Sequence, residues 1–154
     1  MSDRPDETLQ QLLSVQDGIP FFVALGASVV EAVPGRSVMR LPYAPHLIGN
    51  PDTGVVHGGA ITGLLDHACG MAVSSGVEAV RPNSEYGMRA LATLDLRIDY
   101  LRAAKPGADI IVVGECIRVT RRIVFARGRA FQEREDEPIA LATGAFMLTE
   151  MRTG

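Results

Sequence analysis

The stretch His57-Gly58-Gly59-Ala60-Ile61-Thr62-Gly63-Leu64-Leu65-Asp66-His67-Ala68-Cys69-Gly70-Met71-Ala72-Val73 decides how the rest of this chain is read. It is apolar nearly all round, the pattern of a helix buried on every side. A His-Gly-Gly turn opens it, and one carboxylate, Asp66, stands in its middle. Aspartate is a poor helix-interior residue, rarely buried unless it is paired or put to use. The residues alone leave two readings of Asp66 open: a functional carboxylate, or one on a narrow solvated or interface stripe.

Upstream, the chain reaches this helix through a long irregular stretch, Pro42 to Val56, that contains Pro45, Gly49, Asn50, Pro51 and Gly54. An ordered loop of that length is more often functional than accidental. Before it, Ala27–Val33 and Arg36–Leu41 are β-rich runs separated by Pro34-Gly35, a hairpin signal. Residues 6–16 read as a short amphipathic helix closed by Gly18, and Pro20 to Leu25 as a second helical piece.

Downstream, the central helix is expected from about Gly59 to Ser75, followed by a loop over residues 76–90. Four strands follow: Ala92–Arg102, Asp109–Thr120, Ile123–Glu133 and Ile139–Glu150. Short turns join them at Lys105-Pro106-Gly107, Arg121-Arg122 and the charged run Glu133–Glu137-Pro138. In the first, Leu94, Leu96, Ile98 and Tyr100 alternate with Asp95, Arg97 and Asp99, which predicts one buried face. A curved antiparallel sheet wrapped around the central helix buries both surfaces at once, giving an α+β fold.

With 154 residues, 47% of them hydrophobic, one domain with a substantial core is expected. Residues 1–24 read as an N-terminal helical segment and 25–150 as the domain proper. The net charge of −3 argues against nucleic acid as a partner. Residues 1–80 carry three basic and eight acidic side chains, and residues 81–154 carry twelve and ten. The later half therefore offers cations for a phosphorylated small ligand, although evenly solvated strand faces explain the same count. Cys69 and Cys116 lie in apolar runs and read as core residues. The polar, acidic N-terminus lacks the pattern of a signal peptide, and no apolar run reaches the ~20 residues of a membrane span. A cytoplasmic location with no membrane partner is the expectation.

Two motifs carry a family resemblance. The first is Asn50-x-x-x-Gly54-x-x-His57-Gly58-Gly59-x-x-x-x-x-Leu65-Asp66. The second is Thr93-x-Asp95-x-x-x-x-Tyr100-Leu101-Arg102-x-Ala104-x-x-Gly107. Together they resemble the hotdog-fold acyl-CoA thioesterases of the phenylacetate-degradation (PaaI-like) and 4-hydroxybenzoyl-CoA thioesterase types. The resemblance implies a hotdog fold, a homodimer or dimer-of-dimers tetramer, and hydrolysis of acyl-CoA with no cofactor, coenzyme A being part of the substrate. It also implies that Asp66 faces an oxyanion site across a subunit interface, and that Asn50 orients water or the carbonyl. Thr93 falls where relatives carry a hydroxyl near the attacking water.

The chemistry suits these residue types. Thioester hydrolysis needs a nucleophile or a base for water, and donors aimed at the developing oxyanion. Gly58 and Gly59 are expected to present free N–H groups at the positive end of the helix dipole, with no side chains to block a carbonyl. Asn50 as a plain turn residue and Thr93 as an ordinary strand residue remain open. His57 is expected to hold the turn by a hydrogen bond rather than carry protons, and His46 reads as a loop residue. His67 points about 100° away from Asp66 and makes no catalytic pair with it. His57 and His67 stand about 15 Å apart along a helix, so they share no metal, and no metal site is expected. Neither a Gly-x-Ser-x-Gly elbow nor a dinucleotide-type glycine loop is present. For the coenzyme A phosphates, Arg121 with Arg122 and Arg102 with Lys105 are the candidates, with solvated turns the alternative. Two other functions fit less well. A hotdog dehydratase or hydratase would pair a catalytic His with a carboxylate, and an acyl-CoA-binding module would dispense with Asp66.

Overall fold

The computed structural model describes Ser14 and residues 18–82 and 91–149. The helix expected over 6–16 falls outside these residues except for Ser14, as do most of the 76–90 loop and the last residue of the final strand.

Local chemistry accounts for the first elements. Pro20 starts helix α1 (Pro20–Leu25), and Gly26, at φ 70°, closes it in the left-handed region. Strands β1 (Ser28–Val33) and β2 (Arg36–Leu41) pair across Pro34-Gly35, where Gly35 takes φ 76°. The stretch expected to be irregular holds a 3₁₀ turn at Pro45–Leu47 and a small hairpin of β3 (Ile48–Asn50) and β4 (Val55–Val56). It is pinned at both ends. Asp109 accepts the Tyr43 N–H (2.9 Å) and Arg40 Nε (2.8 Å), and these donors hold its carboxyl below the ordinary range. The Tyr43 hydroxyl donates to the Gly54 carbonyl at 2.7 Å.

The central helix α2 (Gly58–Val80) runs five residues past the expected end at Ser75. Gly76, expected to open the following loop, is helical and a packing contact: a Cβ there would come within 2.9 Å of Cys116 Sγ. Helical propensity yields to packing here.

Strands β5 (Leu91–Tyr100), β6 (Ile110–Val119), β7 (Ile123–Phe131) and β8 (Ala140–Leu148) complete an antiparallel sheet of order β1-β2-β6-β7-β8-β5. One register row crosses it through Ser37, Gly114, Gly128 and Ala142. These small residues let the sheet close on the middle of α2. A Cβ on Gly114 would lie 2.4 Å from the Ala68 carbonyl oxygen, and Ser37 Oγ donates to that same oxygen at 2.8 Å. Leu64, Leu65, Ala68 and Cys69 are fully buried beneath the wrap. A curved sheet around one long helix is therefore the observed α+β architecture.

Strand β5 departs from simple alternation. Thr93 pairs with Phe146 and Asp95 with Ala145, so Leu94 is an extra bulged residue, 53% exposed. Alternation would put Thr93 on the same face as Asp95. The bulge instead turns Thr93 to the inner face with buried Phe146.

Candidate active site

Asp66 and Thr93 meet. The Thr93 hydroxyl donates to Asp66 Oδ1 at 2.9 Å, from a strand that faces the helix there because of the Leu94 bulge. Asp66 is half-buried, between fully buried Leu65 and Ala68 on the same helix.

Helix α1 packs on α2 at Gly63 and at His67, the neighbour of this carboxylate, a relation that no sequence motif announced. Phe22 stacks on His67 with ring centroids 4.6 Å apart and planes 22° from parallel. Burial lowers the His67 pKa, and the Asp66 charge opposes that shift. One turn earlier, a Cβ on Gly63 would lie 2.7 Å from the Phe21 ring, so the missing side chain lets α1 lie close. An aromatic pair in α1 and a glycine three residues before Asp66 were the available signal. Cys69, one turn beyond Asp66, is not a nucleophile: burial and the Asp66 charge push its thiol up to about 12.

The helix start is a second cluster. His57 is the N-cap; its Nδ1 accepts the Gly59 N–H at 2.8 Å, and its own N–H donates to the Leu47 carbonyl at 2.7 Å. A Cβ on Gly49 would lie 2.8 Å from His57 Cα, which fixes the loop against the cap. The expectation of two free glycine amides is thus corrected, because the Gly59 N–H is held by His57. From β5, the Tyr100 hydroxyl donates to the Gly58 carbonyl and stands 2.6 Å from Thr62 Oγ1. A cleft of about 270 Å³ opens beside this cluster, lined by Val56, Gly58, Ile61, Tyr100 and Arg102 among others.

Other expected site residues lie elsewhere. Asn50 builds the β3–β4 turn: its Oδ1 accepts the Asp52 N–H at 3.0 Å, and its carbonyl accepts the Gly54 N–H at 2.8 Å. Exposed Arg121 and Arg122 sit after β6, whereas Arg102 and Lys105 precede it. A strand of ten residues separates the two pairs by about 30 Å, so they form no single patch within one chain. Arg102 donates to the Glu137 carbonyl (2.8 Å), and Lys105 Nζ pairs with Glu133 (2.8 Å). Arg81 ties the end of α2 to the β6–β7 turn through the Thr120 and Arg121 carbonyls. Among the described residues, no three His, Cys, Asp or Glu side chains group as metal ligands, and no helix is long and apolar enough to cross a membrane.

Seven residues separate Gly59 from Asp66, about 10 Å of helical rise. A reacting carbonyl must lie about 3 Å from both nucleophile and oxyanion donor. One chain alone therefore does not bring its carboxylate and its own helix start onto the same atom.

Comparison with known proteins identifies the fold and the family. A medium/long-chain acyl-CoA thioesterase of Escherichia coli K12, YigI, is 30% identical over 84% of this chain and 86% of its own. A Pseudomonas aeruginosa protein of known structure is 41% identical, with a match covering 90% of this chain and 97% of that one and a TM-score of 0.76. The phenylacetic acid degradation protein PaaI of Thermus thermophilus, solved in a point-mutant form, is 26% identical; the match covers 84% and 98% of the two chains, with a TM-score of 0.68. The family model of the thioesterase superfamily matches residues 53–139, from the β3–β4 turn to the start of β8. With the sheet wrapped on α2 and more than half its length matched, the chain belongs to the thioesterase superfamily, as a hotdog-fold enzyme of the PaaI-like kind.

Proposed function

We propose that this enzyme hydrolyses acyl-CoA, with Asp66 of one subunit acting on a thioester whose carbonyl sits at the Gly58–Gly59 helix start of another. The observation that carries this reading is the Asp66–Thr93 pair, about 10 Å along α2 from the glycines. Thr93 occupies Oδ1, which leaves Oδ2 to attack the carbonyl carbon or to take a proton from water. Attack would form an acyl-enzyme anhydride and expel the coenzyme A thiolate, with water then freeing the acid. The general-base route reaches the same products in one step. In either case negative charge grows on the carbonyl oxygen, where the positive end of the α2 dipole stabilises it.

A shared site requires at least a homodimer. Strand β5 supports one: among the described residues it ends the sheet, and Leu94 and Leu101 are exposed apolar side chains on or beside it. Asn50, on an exposed turn, would reach the carbonyl or water from the partner side. Arg121 and Arg122, two adjacent exposed guanidinium groups at one turn, are our choice for the coenzyme A phosphates. His57 Nδ1 is committed to the Gly59 amide, so no contact favours the dehydratase reading. The E. coli relative is named for medium and long acyl chains, which makes these the first substrates to try.

The test is a coupled thiol-release assay over short, medium, long and aryl acyl-CoA thioesters. The wild-type chain should turn over at least one class, and Asp66→Asn should lower kcat by about a hundredfold or more. Near-normal turnover by Asp66→Asn, or no turnover of any thioester by the wild type, overturns the reading.

A further inference from the structure

We infer that Tyr100 is a positioning residue for the oxyanion site, its hydroxyl holding and polarising the Gly58–Gly59 peptide; this rests on the function proposed above. The phenol has a single proton, and the Gly58 carbonyl can only accept, so Tyr100 donates to Gly58 and receives its other hydrogen bond from Thr62 Oγ1. The Gly58 carbonyl and the Gly59 N–H belong to one peptide unit. A hydrogen bond to the carbonyl end strengthens the N–H end as a donor. The result is a relay from the Thr62 hydroxyl through Tyr100 and the Gly58–Gly59 peptide to His57 Nδ1, 2.8 Å from the Gly59 nitrogen, which clamps the turn so that the adjacent Gly58 N–H is held in place as the oxyanion donor.

Two further observations support the assignment. Two glycines in succession make the loosest helix start among non-proline residues. The tie to β5 removes that freedom, and it comes from the strand whose Thr93 holds Asp66. A Cβ on Gly58 would stand 3.0 Å from the Tyr100 hydroxyl, so the glycine is what admits the hydroxyl. Tyr100 is also 50% exposed, so packing alone would be as well served by phenylalanine. The hydroxyl is the group whose role needs explaining.

Tyr100→Phe, which keeps the ring and removes the relay, is the test. The Gly58 N–H at the helix start is left in place but less firmly aimed, so kcat should fall about tenfold, below the 10²–10³ that follows removal of a whole donor. KM for acyl-CoA should stay within about twofold. Hydrogen exchange should quicken at the amides of residues 58–62 and nowhere else. Thr62→Val should reproduce part of the kcat loss, and Thr62→Ser should not. An unchanged kcat in Tyr100→Phe, alongside a crippled Asp66→Asn, overturns this inference and leaves the proposed function standing. A kcat loss accompanied by faster exchange throughout the chain also overturns it, as a sign of general destabilisation. A wild-type chain inactive on every thioester overturns both.

Discussion

Thr93 shows how one residue acquires a role through its neighbour's geometry. Its hydroxyl reaches Asp66 because Leu94 is bulged out of β5, which separates Thr93 from Asp95 by a face. A hydrogen bond to a charged group contributes about 1.5–3 kcal/mol. Thr93→Val, which keeps the shape and loses the donor, is therefore expected to cut kcat about tenfold or more. Asp95→Asn, on the outer face, should leave kcat within about twofold. Steady-state kinetics on the best acyl-CoA decide the matter, and equal effects of the two substitutions would show that the bulge does not govern the site. The glycines repay the same scrutiny. Gly49, Gly58, Gly63 and Gly114 are each glycine because a particular atom occupies the place of a Cβ.

Among the elements, α2 and the sheet leave the least room for a side chain at Gly114 of any glycine described. A methyl group there would press on the Ala68 carbonyl, which belongs to helix backbone and cannot swing aside. Overpacking of this kind costs about 3 kcal/mol. Gly114→Ala should thus lower the melting temperature by about 10 °C, measured by circular dichroism, in a domain of this size. A change of a degree or two would mean that the sheet can move off the helix freely. The helix was legible in the sequence as a long run apolar nearly all round behind a His-Gly-Gly turn, and the hairpins as β-rich runs cut by short turns such as Pro34-Gly35 and Arg121-Arg122. Features that break the period were not legible. The Leu94 bulge leaves Thr93 on the wrong face by simple alternation, and residues 76–80, expected to be loop, stay helical with Gly76 against Cys116. His57 was expected to hold the turn, but which amide it takes is a matter of one side-chain torsion, and the packing of α1 on Gly63 and His67 is a contact between distant segments. Neither leaves a mark in local spacing.

For the whole molecule, the decisive quantity is the length of helix between the glycines and the carboxylate. If each site draws Asp66 from one subunit and the helix start from the other, a defect in either half is repaired by a partner with the opposite defect. Asp66→Asn supplies a sound helix start. Gly58→Val, whose side chain would meet the Tyr100 hydroxyl, supplies a sound carboxylate. Co-expressed in equal amounts, the two dead chains should yield about a quarter of wild-type activity, since half of randomly paired two-fold dimers would hold one intact site. No recovery in purified mixed dimers, separated by different tags, would place the complete site within one chain. On that reading ten ångströms of helix become a rule of inheritance: two broken copies of this gene can complement one another, and a copy broken in one half alone leaves the output of the sound copy intact.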